Sequence, residues 1–147
     1  MDLDISIEQV VRAKFGQYLD SLSIEEAEKK LNEYIDTAKD SIQGAIDEAS
    51  SLGDSIQSTC TGIVTQTPLI IAQIAGVSGS IDPAGKASQL VTIATTVKGL
   101  KDQVKRATAQ LGSMTNIITQ LGVDIPIIGT LNTAIQAADA LLDTIPV

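Results

Sequence analysis

Ten apolar residues recur in alternating steps of three and four through the second half of this 147-residue chain. Leu90, Val97, Val104, Leu111 and Ile118 stand seven apart, and Ile93, Leu100, Ala107, Met114 and Leu121 repeat the interval three residues later. A strand turns over its faces every second residue, so as a strand this pattern would scatter its apolar side chains over both sides. As a helix it gathers all ten on one stripe. The spacing therefore predicts one helix over 83–121. At 1.5 Å per residue it is about 58 Å long, more than a compact domain of this size needs. Such a helix must fold back against another long helix or lie against a neighbouring chain.

A second long helical pattern lies in the first half. Ser6 with Gln9, and Ser23 with Glu26, have the spacing of capping boxes, and predict a short helix over 7–19 and a long one beginning at 24. Two columns run along the long helix: Ile24, Leu31, Ala38, Ala45 and Leu52, and Ile35, Ile42, Ala49, Ile56 and Ile63. Only Glu28 and Thr59 interrupt them. Glu25 and Lys29, and Glu26 and Lys30, pair on the outer faces at four-residue spacing. Gly44 and Gly53 weaken this helix by about 1 kcal/mol each relative to Ala, and a break near Gly53 is expected. Thr67-Pro68 reads as a fresh start, ending the acidic helix at 66 and opening a short apolar helix over 68–75. GVSGS then supplies a turn, and Asp82-Pro83 opens the long heptad helix. Gly122 closes it. A last helix over 127–145 carries Ile128, Leu131, Ile135, Ala138, Leu142 and Ile145 in the same alternation. The fold class expected is all-α: one domain of long heptad-patterned helices in a hairpin, bundle or coiled-coil-like assembly.

Between Ser55 and Ile81 there is no charged residue. A membrane helix needs about 20 consecutive apolar residues. The stretch 61–79 has the length, but Gln66 and Gln73 lie inside it, Pro68 interrupts it, and no aromatic or basic residue marks an interface. We read it as core. From 107 to 147 only Asp124, Asp139 and Asp143 carry charge; Thr, Ser, Gln and Asn take the outward positions. Surfaces poor in charge are compatible with contact to another protein.

The net charge of −8 is unevenly spread: residues 1–60 hold 13 acids and 5 bases, and residues 61–147 hold 5 of each. The acidic half repels nucleic acid and anionic lipid. Lys98, Lys101, Lys105 and Arg106 cluster at helical spacing, which reads as a solvated face or a match for an acidic neighbour rather than a nucleic-acid site. With one Phe, two Tyr and no Trp, the chain lacks the aromatics that commonly build ligand pockets.

No constellation names a reaction. The chain has no histidine, hence neither the commonest general base nor the commonest zinc ligand. GxSxG and calcium-loop spacings do not occur. GSIDPAGK resembles a phosphate loop only in passing: its glycines are six apart, and Ala87 stands where a Ser or Thr is needed. Cys60 is the single cysteine, which forbids an intrachain disulfide and reads as a small buried hydrophobe. The acidic N-terminus has no signal-peptide pattern.

The expectation is therefore a non-enzymatic structural subunit or adaptor, without cofactor or metal, that packs against copies of itself or other subunits. A viral or phage virion, or a cytoplasmic assembly, is the setting expected, and the two apolar seams of 90–121 and 128–142 are its packing surfaces. Two other readings stand beside it: a membrane-active helical protein, for which 55–81 speaks, and a helical binding module or chaperone for one protein partner.

Overall fold

Serines set the starts of the first two helices. Ser6 Oγ accepts a hydrogen bond from the Gln9 amide at 3.1 Å, and Ser23 Oγ accepts one from the Glu26 amide at 3.3 Å. Each satisfies an amide that the first helical turn leaves without a partner. The computed structural model describes residues 3–79 and 83–146. It contains, in order, α1 (Ile7–Asp20), α2 (Ile24–Ser78), α3 (Pro83–Leu121) and α4 (Ile127–Asp143), with no strand among the described residues. The protein is an all-α helical bundle.

The helix expected to stop at 66 and restart at 68 is instead one helix of 55 residues, about 82 Å long. Gly53 does not interrupt it. This residue is buried, its bare backbone covered by neighbouring helices, so its weak helix propensity is overridden by packing. Pro68 does not interrupt it either. A proline inside a helix forfeits one backbone hydrogen bond and costs about 3 kcal/mol. Pro68 falls on the exposed side, while Ile63, Thr67 and Ile70 around it are buried on the other. Each fully buried aliphatic side chain contributes about 1.5–3 kcal/mol, so the core stripe outweighs the lost bond. The expected turn at GVSGS also begins later, since α2 runs to Ser78 and Gly79 caps it. Ser80, Ile81 and Asp82, three residues of the loop-like GSIDPAGK and among them the aspartate of the expected Asp-Pro start, lie outside the described residues, and Pro83 opens α3.

α3 folds back along α2 within the same chain, forming an antiparallel hairpin. Nine of the ten positions in its heptad are buried, from Ile93 to Leu121. Leu90 is the departure: it is 41% exposed. Gly122 ends α3 with φ +75°, a left-handed conformation that suits a residue without Cβ. The chain then reverses through Pro126, and α4 returns against both long helices, burying Leu131, Ile135, Ala138 and Leu142. Ile128 is half-buried against the same core.

Two clusters result. The larger joins the second half of α2 to α3 and α4; the smaller packs Val10, Val11 and Leu19 of α1 on Leu31, Ile42 and Ile46 of α2, with Leu121 at the junction. On α2 the column Ile42, Ala49, Ile56 and Ile63 is buried as expected and continues through Ile70 and Val77. Ile35, at its start, is half-buried. In the companion column only Leu31 is buried: Ala38, Ala45 and Leu52 are half-buried and Ile24 is 81% exposed, whereas Ile46, Gly53, Cys60 and Thr67 are buried. The cause is the change of partner along α2: α1 covers its early part, while α3 and α4 together cover its middle, and the buried stripe shifts by one residue between them.

Candidate interaction surface at the hairpin end

The three-helix cross-section does not reach the end of the hairpin. Asp139 and Asp143, at the close of α4, border one groove with Lys101, Val104, Lys105 and Thr108 of α3. α4 therefore runs antiparallel to α3 and stops level with Lys101. Two of the four clustered bases, Lys101 and Lys105, thus share a groove with two acids of α4. Beyond that level α2 and α3 continue as a layer two helices wide.

On this layer sit Val64, Leu69, Ile71, Leu90 and Val91, all large, apolar and 41–66% exposed. The remaining large exposed apolar residues, Phe15, Tyr18 and Ile24, are at the opposite end of the bundle. There Phe15 stacks on Tyr34 with ring centroids 4.4 Å apart, which fastens α1 to α2.

Position on the helix sorts the exposed residues by side. Leu90 stands two heptads before Val104, which faces the end of α4, so Leu90 lies on the axial continuation of the α4 seat. On α2, the flank carrying Gln73 closes against Gln89 and Thr92 in a separate groove. Val64 and Ile71 follow Ile63 and Ile70 by one residue, on the other flank. They border the open groove together with Leu90, and Val91 stands on its rim. Leu69 lies round the far side of α2.

This end is more apolar than its composition suggests. Thr92, Thr95 and Thr96 donate their hydroxyl protons to the carbonyls of Ser88, Val91 and Thr92, at 2.9–3.1 Å. Each hydroxyl is satisfied by the helix itself, leaving the methyl group as the outward feature. Within α2, Thr59 and Thr67 do the same to Ser55 and Ile63. Lys86 is the one charged residue among those described in 55–79 and 83–97.

Of the residues expected to form packing seams, Ile93 through Leu121 and Leu131 through Leu142 are consumed inside the chain, and Ile128 partly so. Leu90 alone is left for an outside partner. The heptad reading did not single out Val64, Ile71 or Val91, because they stand off its columns; the signal that points to them is the lack of charge along 55–81.

Among the described residues no three His, Cys, Asp or Glu side chains gather closely enough to hold a metal ion. Cys60 is buried, and burial pushes its thiol up from its ordinary value. Comparison with protein-family models, curated proteins and solved structures found no match to this chain.

Proposed function

We propose that this chain is a non-enzymatic structural subunit or adaptor of a multi-protein assembly, and that it acts by packing the open end of its α2–α3 hairpin against helices of another chain. One observation carries the reading: large apolar side chains are exposed on an almost uncharged two-helix layer of α2 and α3 that α4 does not reach. Buried interface centres are depleted of charge in the same way. A virion, such as a phage particle, is the setting we propose. The Thr, Gln and Ala that dress the outer faces support it, since such faces suit burial between chains better than isolation in water.

The test is cosedimentation from the native source. The wild-type chain is expected to travel with a large particle, and chains carrying Ile71→Lys or Val91→Glu, folded by circular dichroism, are expected to remain in the soluble fraction. A wild-type chain that travels with nothing overturns the reading.

A second reading has its own observation. One 18-residue window of α2 has a mean hydropathy of 1.4 and is only 28% buried. This fits a hairpin that enters a membrane. Flotation with liposomes at neutral and acidic pH tests it, and association at neither removes it. Binding to a single protein partner as a stable monomer is the third case, distinguished by stoichiometric complex formation.

A further inference from the structure

We propose that the open groove beyond α4 is a dimerisation site, occupied by the same groove of a second copy, so that two hairpin ends lie antiparallel and close a four-helix bundle. This rests on the packing-subunit reading above and names its occupant.

Charge decides which end of the molecule meets a copy. The net charge of −8 comes from residues 1–60, with 13 acids against 5 bases. Two acidic ends brought together repel. The distance along α2 from Ile24 to Val64 is about 60 Å, several times the ~10 Å screening length at 0.1 M salt. Contact through the hairpin ends therefore places the acidic halves far apart at the two outer poles. A partner of opposite charge has almost nothing here to recognise, whereas an identical uncharged surface is matched by construction.

Size agrees. The exposed area of the chain is 8946 Å². A compact chain of its 15.3 kDa mass exposes about 7,100 Å², so this one exposes roughly 1,800 Å² more. A standard interface removes about 800 Å² from each partner, well within that excess. The uncovered layer is about 25 Å long and about 20 Å wide, from its helical rise and a ~10 Å helix spacing, a footprint of that order.

Geometry supplies closure. The groove already accepts one helix, α4, along its inner half, so its outer half is shaped to take another. Two hairpins packed face to face through a twofold axis bury both grooves at once and leave no open surface to propagate. Lipid is the poorer occupant, because a hairpin end immersed in hydrocarbon would also carry in Gln66, Gln73 and Gln89 on its other flank.

Sedimentation velocity and light scattering on the purified full chain, over a hundredfold concentration range, test the proposal. A discrete dimer is expected. Ile71→Lys and Val91→Glu, both at exposed positions, should each weaken it at least tenfold while leaving helicity and Tm unchanged. The uncharged pair L90Q/V91Q should weaken it similarly, which separates lost packing from added charge. Ile24→Lys, at the opposite pole, should leave it intact. A wild-type monomer at every concentration overturns the proposal, as does a dimer indifferent to all three hairpin-end changes. Binding of the wild-type monomer to phosphatidylcholine–phosphatidylglycerol vesicles, abolished by Val91→Glu, overturns it in favour of lipid. If the purified chain is a monomer yet cosediments with a native particle, the proposal falls and the packing-subunit reading stands.

Discussion

Gln110 Nε2 donates a hydrogen bond to Ser55 Oγ at 3.3 Å, joining the two long helices between residues 55 apart in sequence. The pairing marks the register of the hairpin. In the same register Leu121 meets Ile42 and Ile46 at one end, and Gln89 and Ile93 lie beside Gln73 and Val77 at the other.

This bond marks the register without setting it. Both groups are exposed, and an exposed hydrogen bond contributes little after exchange with water, about 0.5 kcal/mol. Leu111, one residue further along α3, is buried in the larger cluster. Gln110→Ala should cost about 0.5 kcal/mol in urea unfolding and Leu111→Ala about 2–5 kcal/mol. Similar costs at the two positions would mean that polar contacts, not the apolar seam, hold the helices in line.

Pro68 gives a gain-of-stability test. The residue is exposed, and its neighbours Thr67 and Ile70 are already packed in helical geometry. Pro68→Ala restores a donor for the Val64 carbonyl and removes the ring's clash with the preceding turn. Stability should rise, by up to about 3 kcal/mol. A fall in the urea midpoint would show that the proline ring makes contacts worth more than the helix bond it forfeits.

The glycines of α3 should respond in opposite directions. Gly112 lies mid-helix and exposed, and a Cβ placed there meets nothing within 4 Å. Gly112→Ala should stabilise by about 0.5–1 kcal/mol through the less flexible unfolded chain. Gly122 has φ +75°, and a Cβ there also approaches the Ala13 side chain at 3.7 Å. Gly122→Ala should cost about 1–2 kcal/mol, from forcing an L side chain into the left-handed region. Thermal unfolding of the pair decides; a gain at Gly122 would mean that the end of α3 rearranges freely.

The seam from Ile93 to Leu121 was legible in the sequence because an apolar heptad has one helical solution. That it closes within the chain was not, since periodicity reports which face is apolar and not what covers it. Leu90 shows the difference: it keeps the period, yet α4 ends before reaching it. On α2 the column from Ile42 to Ile63 was readable, but Cys60 and Thr67, one residue off the companion column, were hidden by being small or polar. Thr67 can be buried because its hydroxyl donates to the Ile63 carbonyl at 2.8 Å, a local solution that hydropathy does not reveal. Pro68 misled for a related reason. A proline reads as a helix start unless the packing on the opposite face is known. The open hairpin end was half legible: the lack of charge along 55–81 marked it, and only the fold shows which side is left uncovered.

Cys60 is 6% exposed, and burial raises its thiol pKa above the ordinary value. The sign of the consequence follows from proton linkage. A group whose pKa is higher in the folded state holds its proton there at pH values where the unfolded chain has lost it. Its contribution is complete below the unfolded thiol's pKa, about 8.5, and is lost as pH rises through the folded value. Cys60→Ala leaves a small cavity and should cost about 1 kcal/mol at neutral pH. Because the variant cannot titrate at this site, the gap in Tm between wild type and variant should shrink steadily from pH 8 to pH 10. Every other pH effect is common to both proteins and cancels in the comparison. The same burial should make Cys60 react with an aromatic disulfide reagent far more slowly in the folded protein than in urea. A gap that stays constant with pH, together with rapid labelling of the folded chain, would show that water reaches the thiol and that the middle of the α2 stripe is open rather than packed.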